Sequence, residues 1–186
     1  LFRLALVGGV VVGLVWGIGL GLRRAFLDNS DFRIALIDLN ENPVLDELRL
    51  IEIGGIDLEQ SIFKIGVAEL EDRLAGLPEL ARAKVARELP GTLRVRVQAR
   101  VPVAWMEVPV HGIRGGDPGS GLLVDPNGVL FPCLGEMMES TAGLPVIVIR
   151  EVLPEVPQAG QLCGLRELQQ GLAMLRQAKE IPGMDK

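Results

Sequence analysis

Any chemistry in this sequence must come from very few side chains. There is one histidine, His111, and two cysteines, Cys133 and Cys163. A metal site would need both thiols, the imidazole and a carboxylate to converge, and their spacing matches no zinc motif. Two cysteines are too few for a disulfide framework; outside the cytoplasm they could pair, and otherwise they serve as small buried apolar groups. Ser120 lies between Gly119 and Gly121, but no apolar strand runs into it and Asp117-Pro118 reads as loop, so it is not a nucleophile elbow. His111 could act as its base, yet the glycine-rich chain between them fixes no geometry. With no phosphate-cradling glycine motif, the expectation is a protein that is not an enzyme and needs no cofactor.

Binding chemistry is better represented. Residues 81–100 hold Arg82, Lys84, Arg87, Arg94, Arg96 and Arg100 against one acid, Glu88, which is +5 on a chain whose total is −5. The remainder therefore carries −10, and this stretch is a cationic island. It suits an acidic partner, anionic headgroups, or a solvated face whose arginine stems cover apolar edges. Nucleic acid is not expected, because the chain is acidic and has no tyrosine, five phenylalanines and two tryptophans from which to build a stacking platform. Residues 100–104 are expected to form an exposed strand that accepts a partner strand, with Pro102 costing one hydrogen bond, as at a sheet edge. Arg82, Lys84, Arg94, Arg96, Arg100 and Pro102 are thus the candidate partner-binding residues.

The elements that must position these groups begin with an apolar run. Residues 4–22 contain no charge, and at 1.5 Å per residue they make about 28 Å of helix, close to the hydrocarbon thickness of a bilayer. Arg3 precedes the run and Arg23-Arg24 end it. A cleaved signal peptide would have a shorter apolar core, so an uncleaved single-pass anchor is the expectation. The visible flanks place one arginine before and two after, which favours the opposite orientation from an external C-terminus. A basic tail ahead of Leu1 would have to outweigh them, and a chain opening on Leu rather than Met is expected to have one. Gly9, Gly13, Gly17 and Gly21 recur every four residues on one helix face, the pattern of close helix pairing in membranes.

Beyond the anchor, residues 32–39 alternate imperfectly as a half-buried strand, and Asn40 to Pro43 form a turn cluster. Leu45, Leu48 and Ile51 have helical spacing with Gly54-Gly55 as a stop, and Ser61 to Ile65 is a short buried connector. Val67, Leu70, Leu74 and Leu77 mark a second amphipathic helix. Two extended segments, 81–87 and 93–99, flank Glu88-Leu89-Pro90-Gly91-Thr92; in the second, Leu93, Val95 and Val97 oppose Arg94, Arg96 and Gln98. The order is strand–helix–helix–strand–strand.

The run from Leu74 to Val97, with Leu77-Pro78, Ala83-Lys84-Val85, Arg87, Leu89-Pro90 and Thr92-Leu93-Arg94-Val95-Arg96-Val97, resembles the POTRA domain of the FtsQ/DivIB cell-division family. Ser61-Ile62-Phe63 sits where that family has an Asn-Ile-Phe element, and Arg100-Val101-Pro102-Val103-Ala104 is similar to its exit strand. Ala99 replaces the usual Glu, Leu80 the usual Val, and Asn40 stands where a Gly-Asn pair is common. Leu122-Leu123-Val124 and Val129-Leu130-Phe131 around Asp125-Pro126-Asn127-Gly128 resemble the hairpin that opens the family's β domain. Residues 144–149 suggest another strand, and Leu165, Leu168, Leu172 and Leu175 a helix.

The expected fold class is α+β: a single transmembrane helix (1–28), a POTRA-type β-α-α-β-β domain (29–104), then a mostly-β domain with a helix (105–186), incomplete at its C-terminus. The resemblance implies a non-enzymatic, single-pass scaffold of the bacterial divisome at the septum, with its C-terminal domains outside the cytoplasmic membrane. It implies FtsB/DivIC-like and FtsL-like partners and a link to the septal peptidoglycan synthase complex. A POTRA component of envelope transport or secretion machinery is the alternative.

Overall fold

A computed structural model of the protein describes residues 13–27 and 29–179. Residues 13–22 are helical (α1), so the first part of the expected membrane run, including Gly9, lies outside the described residues. Among those described, no helix is long and apolar enough to cross a membrane.

The described chain forms two compact units. The first takes residues 13–40 together with Asp46–Arg73 and Lys84–Arg96. After α1 the backbone continues as a π-turn, Arg23–Leu27, then a 3-10 turn, Ser30–Phe32, opened by the Asn29 side chain accepting the Asp31 amide at 3.0 Å. Strand β1 (Leu36–Leu39) is followed by helix α2 (Glu47–Gly54). Asp46 starts that helix, its carboxylate taking the Arg49 amide at 2.7 Å, and Gly55 ends it at φ 58, where a side chain would be strained. Ser61 caps a 3-10 turn, Ile62–Lys64, and also donates its hydroxyl to the Phe26 carbonyl at 2.7 Å. Phe26, Phe32 and Phe63 close around this point, with ring centroids 5.2–5.7 Å apart. Helix α3 (Val67–Ala75) buries Leu70 and Leu74 and leads to β2 (Leu80–Glu88) and β3 (Thr92–Ala99).

The sheet order is β1-β3-β2, so the expected strand–helix–helix–strand–strand succession holds, with β3 central. β1 runs parallel to β3, Leu36 opposite Thr92 and Leu39 opposite Val95. Leu93 and Val95 are fully buried beneath this pairing, while Arg94 and Arg96 face outward. Gly91 lets β1 approach: its carbonyl accepts the Ala35 amide at 2.8 Å, and a Cβ there would run into the Arg33 carbonyl.

The second unit takes residues 41–45, 74–83 and 97 onward. It holds a mixed four-stranded sheet ordered β6-β5-β4-β7, built from Ala104–Glu107 (β4), Leu122–Val124 (β5), Leu130–Pro132 (β6) and Val146–Val148 (β7). β4 is antiparallel to β5 and parallel to β7. The predicted hairpin at Asp125–Gly128 joins β5 and β6, Gly128 standing at φ 89. A short helix α4 (Met138–Thr141) offers the Thr141 carbonyl to the buried Trp105 indole at 2.9 Å. Helix α5 (Arg166–Lys179) buries Leu168 and Leu172 against Met106, Val124, Leu130 and Ile149. Cys133 and Cys163 are both free thiols and buried, the second of them inside this cluster.

One expectation changes here. Residues 100–103 carry no strand, and Ala104 opens β4, which is interior to its sheet and buries Ala104, Trp105 and Met106. Pro102 therefore sits in the connection ahead of an interior strand rather than on an exposed edge. β3 has already ended at Ala99, and Pro102, which has no N–H to give to a ladder, lies in the stretch leading to β4.

Candidate partner-binding face

Strand alternation alone puts the hairpin cations outside, because Leu93, Val95 and Val97 take the core side of β3. What the cations meet there is decided by tertiary pairing. The parallel register sets Asp38 of β1 opposite Arg94. Its carboxylate receives Arg94 Nε at 3.0 Å and both Arg96 terminal nitrogens, Nη1 at 3.0 Å and Nη2 at 2.7 Å. Arg96 Nη1 also donates to the Asp38 carbonyl at 2.8 Å. The Arg96 bonds first, and the Arg94 bond second, hold the Asp38 carboxyl below the usual carboxylate range; the same contacts raise Arg96. Arg94 pairs with Glu88 as well.

Beside β2, Glu71 of α3 makes a two-point contact. One oxygen meets Lys84 Nζ at 2.8 Å and the other accepts the Val85 backbone amide at 3.1 Å. The Lys84 bond, then the amide bond, lower the Glu71 carboxyl. Arg87 lays its guanidinium on the Ile65 carbonyl. Arg82 is exposed and makes no ion pair or hydrogen bond among the described residues.

Arg100, within the second unit, behaves differently. Its backbone amide donates to the Glu79 carbonyl and its Nε to the Pro78 carbonyl, both at 2.8 Å, while Nη1 reaches Asp125 at 2.8 Å. The pair is shielded from water, with 18% of the arginine side chain and 5% of the aspartate exposed. The other Asp125 oxygen accepts the Asn127 and Val129 amides at 2.8 and 2.9 Å. Arg100 is thus a largely enclosed structural cation rather than an open contact. The counterparts of these cations, Asp38 for Arg94 and Arg96, Glu71 for Lys84 and Asp125 for Arg100, were not visible from sequence, because each lies far from its partner along the chain.

Gly13, Gly17 and Gly21 lie on α1 with open space around each. The groups that could have formed a catalytic pair are committed elsewhere. The Ser120 hydroxyl donates to Asp117 at 2.7 Å, which with the Gly119 amide lowers the Asp117 carboxyl. His111 Nε2 lies 3.0 Å from the Leu153 carbonyl. No cluster of metal-ligating side chains occurs among the described residues.

Residues 32–100 match the POTRA domain, FtsQ-type. Over 173 residues the chain is 27% identical to the cell division protein FtsQ of Koribacter versatilis, covering 82% of this chain and 46% of that protein. Over 129 residues it is 25% identical to FtsQ of Geotalea daltonii, covering 69% of this chain and 43% of the relative. FtsQ of Bradyrhizobium diazoefficiens is 28% identical over 86 residues, 46% of this chain and 25% of its own length. The chain spans less than half the length of these relatives. A POTRA fold of the expected order, a mixed sheet with helices beyond it, and distant FtsQ relatives aligned over most of the sequence all support the FtsQ/DivIB family of cell-division proteins.

Proposed function

We propose that the protein is a non-enzymatic, single-pass membrane scaffold of the bacterial divisome. It joins early and late division proteins and septal peptidoglycan synthesis through protein–protein contacts. The anchor (1–28) pairs with other helices through Gly9, Gly13, Gly17 and Gly21. The POTRA domain (29–104) and the β-rich domain (105–186) stand outside the cytoplasmic membrane, and FtsB/DivIC-like and FtsL-like proteins are the partners. Of the basic residues, Arg82, Lys84, Arg94 and Arg96 remain on the surface as contact candidates; Arg100 and Pro102 act by shaping the chain behind it.

The observation that carries this reading is the coupling of one FtsQ-type POTRA domain to a following mixed sheet, across which two FtsQ proteins align. The test is the position of a fluorescent fusion of the full-length protein in growing cells, with cell length scored after depletion. A midcell band and filaments are expected. Uniform envelope fluorescence with normal division would overturn the reading in favour of an envelope-transport POTRA protein.

A further inference from the structure

β2 is the outer strand of the POTRA sheet, and an outer strand offers unpaired amides and carbonyls to any extended chain. Here one of those amides is already taken. Val85 N–H points away from β3 and donates to Glu71, whose second oxygen is held by Lys84. Strand alternation directs the Arg87 amide and the Val85 and Arg87 carbonyls to the same edge. A single carboxylate from α3 therefore supplies what a neighbouring strand would bring at this register: an acceptor for the Val85 amide and a negative charge for Lys84.

We propose that Glu71 guards the β2 edge, and that the partner displacing it is an extended segment bearing carboxylates, added to the sheet as a fourth strand. The chemistry of the guard names the chemistry of the partner. An incoming strand that removes Glu71 leaves the Lys84 ammonium, 81% exposed, without its counter-charge unless it carries its own carboxylate. A second copy of this chain is the wrong occupant, since pairing two β2 edges sets Arg82 and Lys84, which share one face of the strand, against the same cations of the other copy. Ala86, exposed on the same face as Lys84, adds no bulk to obstruct an approaching backbone. The lowered Glu71 carboxyl fits a guard that stays ionised at neutral pH.

This inference rests on the scaffold reading and is tested separately from it. The probes are three labelled peptides of alternating threonine and valine carrying two glutamates, two glutamines or two lysines, titrated by fluorescence anisotropy against the full chain in lipid nanodiscs. Glu71→Ala is expected to bind the glutamate peptide about tenfold more tightly than the native chain, the equivalent of one competing charged hydrogen bond. The glutamine peptide should bind more weakly, and binding should slow hydrogen exchange at Val85. Glu71→Ala combined with Lys84→Glu should transfer the preference to the lysine peptide, a reversal that loss of folding would not produce. Equal affinities for native and Glu71→Ala chains, or no discrimination by peptide charge, overturns the guard. A normal midcell band alongside that result would leave the division role standing, whereas guard behaviour without midcell recruitment would overturn the division role alone.

Discussion

Arg100 Nη1 and Asp125 Oδ2 meet at 2.8 Å in an ion pair that is almost fully enclosed, and every other hydrogen bond around it ties chain to chain. The arginine fastens the Pro78–Glu79 backbone through Nε and its own amide, and the aspartate fastens the β5–β6 turn through the Asn127 and Val129 amides. One salt bridge thus links the Pro78–Glu79 backbone and the exit of β3 to a hairpin turn.

Removing one partner leaves the other buried and uncompensated. Arg100→Ala should lower unfolding free energy by about 3–5 kcal/mol, the range for breaking buried pairs. Urea denaturation measures it. Adding Asp125→Asn to Arg100→Ala should cost less than the sum of the two single changes, because the charge left stranded is gone. A strictly additive double variant would show that the pair does not act as a unit.

Asp38 and Glu71 both titrate lower in the folded chain than in the unfolded one. Their contribution is fully present above the unfolded carboxyl values, about 3.9 and 4.3, and is lost as pH falls through the lower folded values. Stability should therefore decline below about pH 4. Asp38→Asn should flatten that decline while lowering stability at neutral pH. Denaturation midpoints between pH 7 and pH 2.5 provide the check, and an unchanged slope in the variant would remove Asp38 from the account.

Gly91 tolerates no side chain because the Arg33 carbonyl occupies the position a Cβ would take. Gly91→Ala must push β1 away from β3, at a cost of about 1–3 kcal/mol, as for other overpacked sites. Amide exchange in Leu36–Leu39 should accelerate more than exchange in the β5–β6 hairpin.

On α1, Gly13→Ile should abolish self- or hetero-association in a membrane two-hybrid measurement, because the proposed pairing depends on close backbone approach. Undiminished signal would move the partner contact off this helix face.

How much of this was legible in the sequence depends on whether a contact is local. The β3 alternation gave both its buried side, Leu93 and Val95, and its outward arginines, since a strand repeats every two residues whatever lies beside it. Gly55 likewise marked the end of α2 through a backbone conformation that favours glycine. The parallel pairings of β1 with β3 and of β4 with β7 were invisible, because they join segments far apart in sequence through packing rather than pattern. That is why the cations of residues 81–100 read as an open basic surface, whereas Asp38, Glu71, Glu88 and Asp125 fold back upon them. Arg100 was misplaced for a related reason. Periodicity continued the strand towards Ala104, while the chain leaves β3 at Ala99 and turns the arginine onto the buried Asp125 instead.

The three phenylalanines at the foot of α1 have a mechanical consequence. A flexible linker would let a helix spin without disturbing the domain that follows. Here the Phe26 ring packs against both Phe32 and Phe63, and its carbonyl is pinned by Ser61, so the helix exit is fastened to the first unit like a shaft keyed into a hub. Torque applied to α1 by a neighbouring helix is delivered to that unit as rotation rather than dissipated in slack chain.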